Sequence, residues 1–78
     1  MMKVMYIGDN IGIDGLTNNQ IYTCINIEGD YLRILDDSGG DYLYPINNPA
    51  SLHNKNGKWQ IITDDAVGTL NSLIYSTV

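Results

Sequence analysis

The sequence predicts an all-β or mainly β domain, a small five-stranded barrel with a short C-terminal extension. Three observations carry that expectation. Residues 20–46 hold three runs rich in β-branched and aromatic side chains, each separated from the next by a short Gly-containing turn. The 78 residues are 44% hydrophobic and 17% charged, a globular balance with material for one thin core. A polar stretch at residues 8–19 and an Asn56-Gly57 turn before a last apolar run complete the pattern of a small barrel.

Taken in order, residues 2–7 make the first strand, and Gly8-Asp9-Asn10 ends it. Residues 8–19 are too long for a simple hairpin turn. They read as an ordered loop anchored by Ile11, Ile13 and Leu16. Residues 20–27 form the second strand, Glu28-Gly29-Asp30 a tight reversal, and residues 31–35 the third strand, antiparallel to both its neighbours. Residues 36–40 reverse the chain again. In the fourth strand, residues 41–46, Tyr42 and Tyr44 share one face and Leu43 takes the other. Pro45 ends regular pairing because it has no N–H. A short Ala50-Ser51-Leu52 segment follows, then Lys55-Asn56-Gly57-Lys58 as a hairpin signal and a fifth strand at residues 59–62.

Residues 1–62 thus make the barrel and 63–78 the extension. Thr63 or Asp64 can cap a helix, with Asp64 and Asp65 near its positive end. Ala66, Val67, Leu70, Leu73 and Ile74 recur at helical spacing, whereas Gly68 and Thr69 weaken a helix, so an extra strand competes. The apolar stripe needs cover, either the chain's own barrel or a neighbouring copy, which leaves monomer and homodimer both open.

Composition narrows the function classes. Nine acidic against four basic residues give a net charge of −5, which argues against direct nucleic-acid binding. No apolar run reaches the ~20 residues of a membrane span. One cysteine, Cys24, removes the disulfide route and points to a reducing, cytoplasmic setting with a buried thiol. Cys24 and His53 together cannot supply the four ligands of a structural zinc. The groups Asp36, Asp37, Asp41 and Asp9, Asp14 lack the ligand alternation of a calcium hand, and turn formation accounts for them. Ser38 and Ser72 have no neighbouring His/Asp pair, and a barrel this size keeps no deep cleft for paired acids. The expectation is a non-enzymatic protein without cofactor or metal. Six Tyr and one Trp, with no Phe, give every ring a polar handle. Tyr22, Tyr42 and Tyr44 read as core rings, and Tyr6, Tyr31 and Trp59 as partly exposed ones.

Three segments carry a resemblance: Gly29-Asp30-Tyr31-Leu32-Arg33-Ile34, Asp37-Ser38-Gly39-Gly40 and Tyr42-Leu43-Tyr44-Pro45. Over residues 3–62 the chain resembles the SH3-like barrels, and in particular small stand-alone SH3-like proteins of Gram-positive bacteria and their phages. The resemblance implies that Tyr31 walls a peptide groove, that Pro45 is the groove proline, and that Asp9 and Asp14 sit in an acidic specificity loop. The chain departs from the family near Tyr6, where the alanine-leucine-tyrosine-aspartate-tyrosine signature is absent. It departs again after Pro45, where no tyrosine follows. Tyr6, Tyr31, Pro45, Trp59, Asp9 and Asp14 are the binding candidates. The functional expectation is a protein-binding module, an accessory factor of a bacterium or mobile element that docks on a larger protein. The alternatives are an acidic nucleic-acid mimic that inhibits its target, or a small-ligand binder at an oligomer interface.

Overall fold

The computed structural model describes residues 1–75; residues 76–78 of the predicted extension lie outside them. Five strands run in the order β1 (Met2–Gly8), β2 (Ile21–Glu28), β3 (Tyr31–Leu35), β4 (Asp41–Pro45) and β5 (Gly57–Thr63). A 3₁₀ turn at Ser51–His53 precedes β5, and a single helix, α1 (Thr69–Ile74), follows it. All pairings are antiparallel, and the sheet order is β4-β3-β2-β1-β5. No helix among the described residues is long and apolar enough to cross a membrane.

The expected barrel is not closed. β4 and β5 are the two edges of one sheet rather than partners. Pro45 removes an N–H from the end of β4, and the chain then makes a 3₁₀ turn before β5 begins. In place of a ladder, the Trp59 indole N–H donates to the Pro45 carbonyl at 3.2 Å. The Tyr44 and Trp59 rings also meet edge to face at 6.4 Å. Two irregularities interrupt the ladders. Ile25 is the extra residue where β2 shifts register against β3, and Ile62 where β5 shifts against β1.

One face of the sheet supplies the core: Val4 and Tyr6 from β1, Tyr22 and Cys24 from β2, Leu32 and Ile34 from β3, Tyr44 from β4 and Trp59 from β5. The period-two alternation sets these residues inward while Lys3, Thr23, Arg33 and Leu43 face out. Ile11 and Leu16 cap one end, and each donates its N–H to the other's carbonyl, at 2.8 and 3.2 Å. Ile13, expected as a third anchor, is 95% exposed because it lies at the tip of the loop that this bridge closes. Tyr42, expected in the core, is 57% exposed at the rim although it shares the inner face with buried Tyr44. Asn56-Gly57 does not join a hairpin. Gly57 opens β5 opposite Gly8, and a Cβ on Gly57 would lie 2.5 Å from the Tyr6 ring.

The extension is helical, and it starts later than its apolar spacing suggests. Asp65 holds a turn over Val67 and Thr69 through its Oδ1, which accepts both backbone N–H groups. Asp64 accepts from Leu70 and Asn71 N–H at 2.9 Å each. These carboxylates satisfy the orphan donors of α1 from a preceding turn, since the residue before the helix is Gly68 at φ 76°. Ala66 and Val67 therefore fall outside the helix, and Val67 is 85% exposed. Leu70 enters the chain's own core with no exposed surface, and Ile74 packs beside it.

Candidate functional site

Two clefts lie at opposite ends of the β3–β4 hairpin. Tyr31 and Pro45 are direct partners in the β3–β4 register, so the two groove residues implied by the sequence are brought together. Asp30, Ile46, Asn47 and Leu73 complete a cleft of about 440 Å³ around them. Its rim is set by the backbone: Ile46 N–H donates to the Asp30 carbonyl at 2.9 Å. Its support is Trp59, whose indole holds the Pro45 carbonyl. Tyr31 and Leu73 remain 39% exposed, so both sides of the cleft offer apolar surface.

Tyr6 and Trp59 are not exposed, contrary to the expectation for them. Tyr6 is fully buried and Trp59 is 3% exposed. Their positions face each other across β1 and β5, their rings meet edge to face at 5.7 Å, and the Tyr6 hydroxyl donates to the Asp9 carbonyl. Burial, with the nearby Asp9 charge, pushes the Tyr6 hydroxyl above its usual pKa. Asp9 is exposed but structural: its carboxylate accepts the Asn56 N–H at 3.1 Å, tying the first loop to the start of β5.

Asp14 belongs to the second cleft, about 510 Å³, where it meets Ile11, Asp36, Tyr42, Leu43 and His53. The six sequence candidates therefore separate. Tyr31 and Pro45 share one cleft, Asp14 lines the other, Asp9 ties a loop, and two aromatics are core.

Most of the carboxylates accept hydrogen bonds within the molecule. Asp36, 8% exposed, accepts from the Tyr44 hydroxyl at 2.6 Å and from the Ser38 N–H at 3.0 Å. Asp37 accepts from the Tyr22 hydroxyl at 2.9 Å and from Thr17 Oγ1 at 2.7 Å. Burial pushes both tyrosines up, with Asp36 adding to the effect on Tyr44. Glu28 pairs with Arg33 through both its oxygens, at 2.5 and 3.1 Å, and Arg33 Nη1 reaches Asp41 at 2.8 Å. The Arg33 guanidinium holds the Glu28 carboxyl below the usual range. Asp30 and Asp14 are left as exposed carboxylates, one lining each cleft.

Each cleft thus combines apolar walls with negative charge. That combination suits a side chain with an aliphatic stem and a cationic head. Among the described residues, no three His, Cys, Asp or Glu side chains are grouped to hold a metal ion. Cys24 is a free, buried thiol whose Sγ donates to the Asn26 carbonyl, and burial pushes its pKa up.

Sequence reasoning missed Asp30, Ile46 and Leu73 in the first cleft and Tyr42, Leu43 and His53 in the second. Asp30 had a signal, since it adjoins Tyr31. Leu73 stood in the apolar stripe, but its use depends on where α1 packs. Comparison with protein-family models, with curated proteins and with solved structures finds no match to this chain.

Proposed function

We propose that the chain is a non-enzymatic protein-binding module that docks on a segment of a larger protein through the cleft of Tyr31, Pro45 and Leu73. The observation that supports this is the pairing of Tyr31 with Pro45 beside exposed Leu73 and acidic Asp30. The occupant is a segment that presents proline or aliphatic side chains next to a lysine or arginine. Apolar contact supplies affinity, and Asp30, in a protein of net charge −5, selects the cation. Five antiparallel strands are compatible with an SH3-like fold, in which Tyr31 and Pro45 are two groove positions. With Tyr6 and Trp59 committed to the core, the cleft grips fewer residues than a groove with several aromatic ridges. An accessory docking role for a bacterial or mobile-element protein in the cytoplasm fits a surface of this size.

The test is an amide chemical-shift titration with an acetylated peptide that alternates proline and leucine and ends in two arginines. Shifts should cluster at Tyr31, Ile46 and Leu73, and Tyr31→Ala or exchange of the arginines for glutamates should abolish them. Shifts that are absent, or that persist in Tyr31→Ala, would sink the reading.

A further inference from the structure

The register shows which backbone groups of β4 are left without a ladder partner. Asp36 N–H donates to Gly40 O at 3.1 Å, and Ile46 N–H to Asp30 O at 2.9 Å. Antiparallel ladders alternate hydrogen-bonded and non-bonded pairs, so Ile34↔Tyr42 and Leu32↔Tyr44 are the bonded pairs between these two. Asp41, Leu43 and Pro45 therefore turn their backbone groups away from β3, toward the open edge of the sheet. Pro45 offers no N–H, and its carbonyl is taken by Trp59. Asp41 and Leu43 each keep an N–H and a carbonyl directed outward. The alternation turns these four groups away from β3, and among the described residues no turn or loop backbone group bonds to them.

This edge borders the second cleft, which Tyr42 and Leu43 line together with Ile11 and Asp14. We propose that an extended peptide segment bearing a lysine or arginine adds to β4 as a sixth strand in this cleft, independently of the Tyr31 cleft. Unpaired strand edges recruit strands, and main-chain bonds supply the affinity in such additions. The alternation of faces sets specificity. A partner residue opposite Tyr42 lies on the inner face, the face of Asp36 in the β3–β4 alternation, in the cleft that Asp14 also lines. A cationic side chain there meets negative charge in an apolar setting. A second copy of the chain fits the edge less well, because it brings a second net charge of −5 and its own Asp41 to the same line. Pro45 limits the added strand to a short segment over Asp41 and Leu43.

Amide hydrogen exchange of the labelled protein tests this with an acetylated, amidated hexapeptide alternating valine and lysine. At saturation the Leu43 and Asp41 amides should exchange at least about tenfold more slowly. The same peptide N-methylated along one backbone edge should leave them unchanged, and Asp14→Asn should weaken binding several-fold. Unchanged exchange at Leu43, or shifts confined to Tyr31, Ile46 and Leu73, would overturn the assignment. Slowing that grows with protein concentration in the absence of peptide would give the edge to a second copy, and would equally overturn it. The Tyr31 cleft is read separately, by the effect of Tyr31→Ala, so either site can fail without the other.

Discussion

Tyr44 donates its hydroxyl to Asp36 across 2.6 Å, and each residue is only 8% exposed. The pair fixes the turn between β3 and β4 from beneath, while Ser38 satisfies the remaining Asp36 oxygen from above. It also sets the inner wall of the cleft along β4.

Tyr44→Phe removes the donor and leaves a buried carboxylate oxygen without its partner. The expected loss is about 1–3 kcal/mol of stability, measured by urea unfolding. Tyr42→Phe, at an exposed rim position, should fall within about 0.5 kcal/mol of the parent. Equal effects at the two positions would refute the role given to the Tyr44–Asp36 bond.

Alkaline pH should unfold the protein through its buried tyrosines. Burial raises the pKa of Tyr6, Tyr22 and Tyr44 above their unfolded value of about 10. The folded state therefore favours the neutral phenols. Their contribution is complete below about pH 10 and is lost as pH rises through the higher folded values. Urea midpoints that fall above pH 10 in the parent, and less steeply in Tyr44→Phe, are the expected result.

Leu70 is the residue that anchors α1. Leu70→Ala should cost about 2–5 kcal/mol, whereas Val67→Ala should be near neutral, although both belong to the same apolar spacing in the sequence. Comparable losses from the two would place Val67 under cover that the fold does not show.

Gly57 faces the Tyr6 ring with no room for a methyl group. Gly57→Ala should cost about 1–3 kcal/mol by displacing that ring, read as a lower urea midpoint. Gly12 has open space but a φ of 59°, so Gly12→Ala meets only backbone strain of roughly 1 kcal/mol. A ranking in which Gly12→Ala is the more damaging would argue against the close approach of Gly57 to Tyr6.

The central meander was legible because its information is local. Strand-forming runs flank Gly29 and the Gly39-Gly40 pair, and β2, β3 and β4 follow within a residue or two of expectation. Tyr31 and Pro45 were joined in one groove only by the resemblance, and the register across the β3–β4 turn sets them opposite each other. Burial of Tyr6 and Trp59 was not legible, because it depends on β1 meeting β5, a pairing no local pattern announces. The helix start was misplaced because Asp65 favours its own turn over the apolar periodicity of Ala66 and Val67. The cleft along β4 needed the sheet order, since Pro45 marks where pairing ends but not which strand, if any, lies beyond β4.

The β1–β5 ladder, from Lys3↔Thr63 to Gly8↔Gly57, has a kinetic consequence. It joins the two strands farthest apart in sequence, so its loop-closure entropy must be met before its contacts reward it. The β2–β3–β4 meander closes only short loops, and we expect it to be the nucleus, with β1 and β5 zipping together afterwards. Stopped-flow folding would then show Ile34→Val acting mainly on the folding rate and Ile61→Val mainly on the unfolding rate. The reverse partition would mean that the longest-range ladder forms first. Under the expected order, β2 is a second unpaired edge until β1 docks, so the partly folded chain exposes more strand edge than the folded protein does.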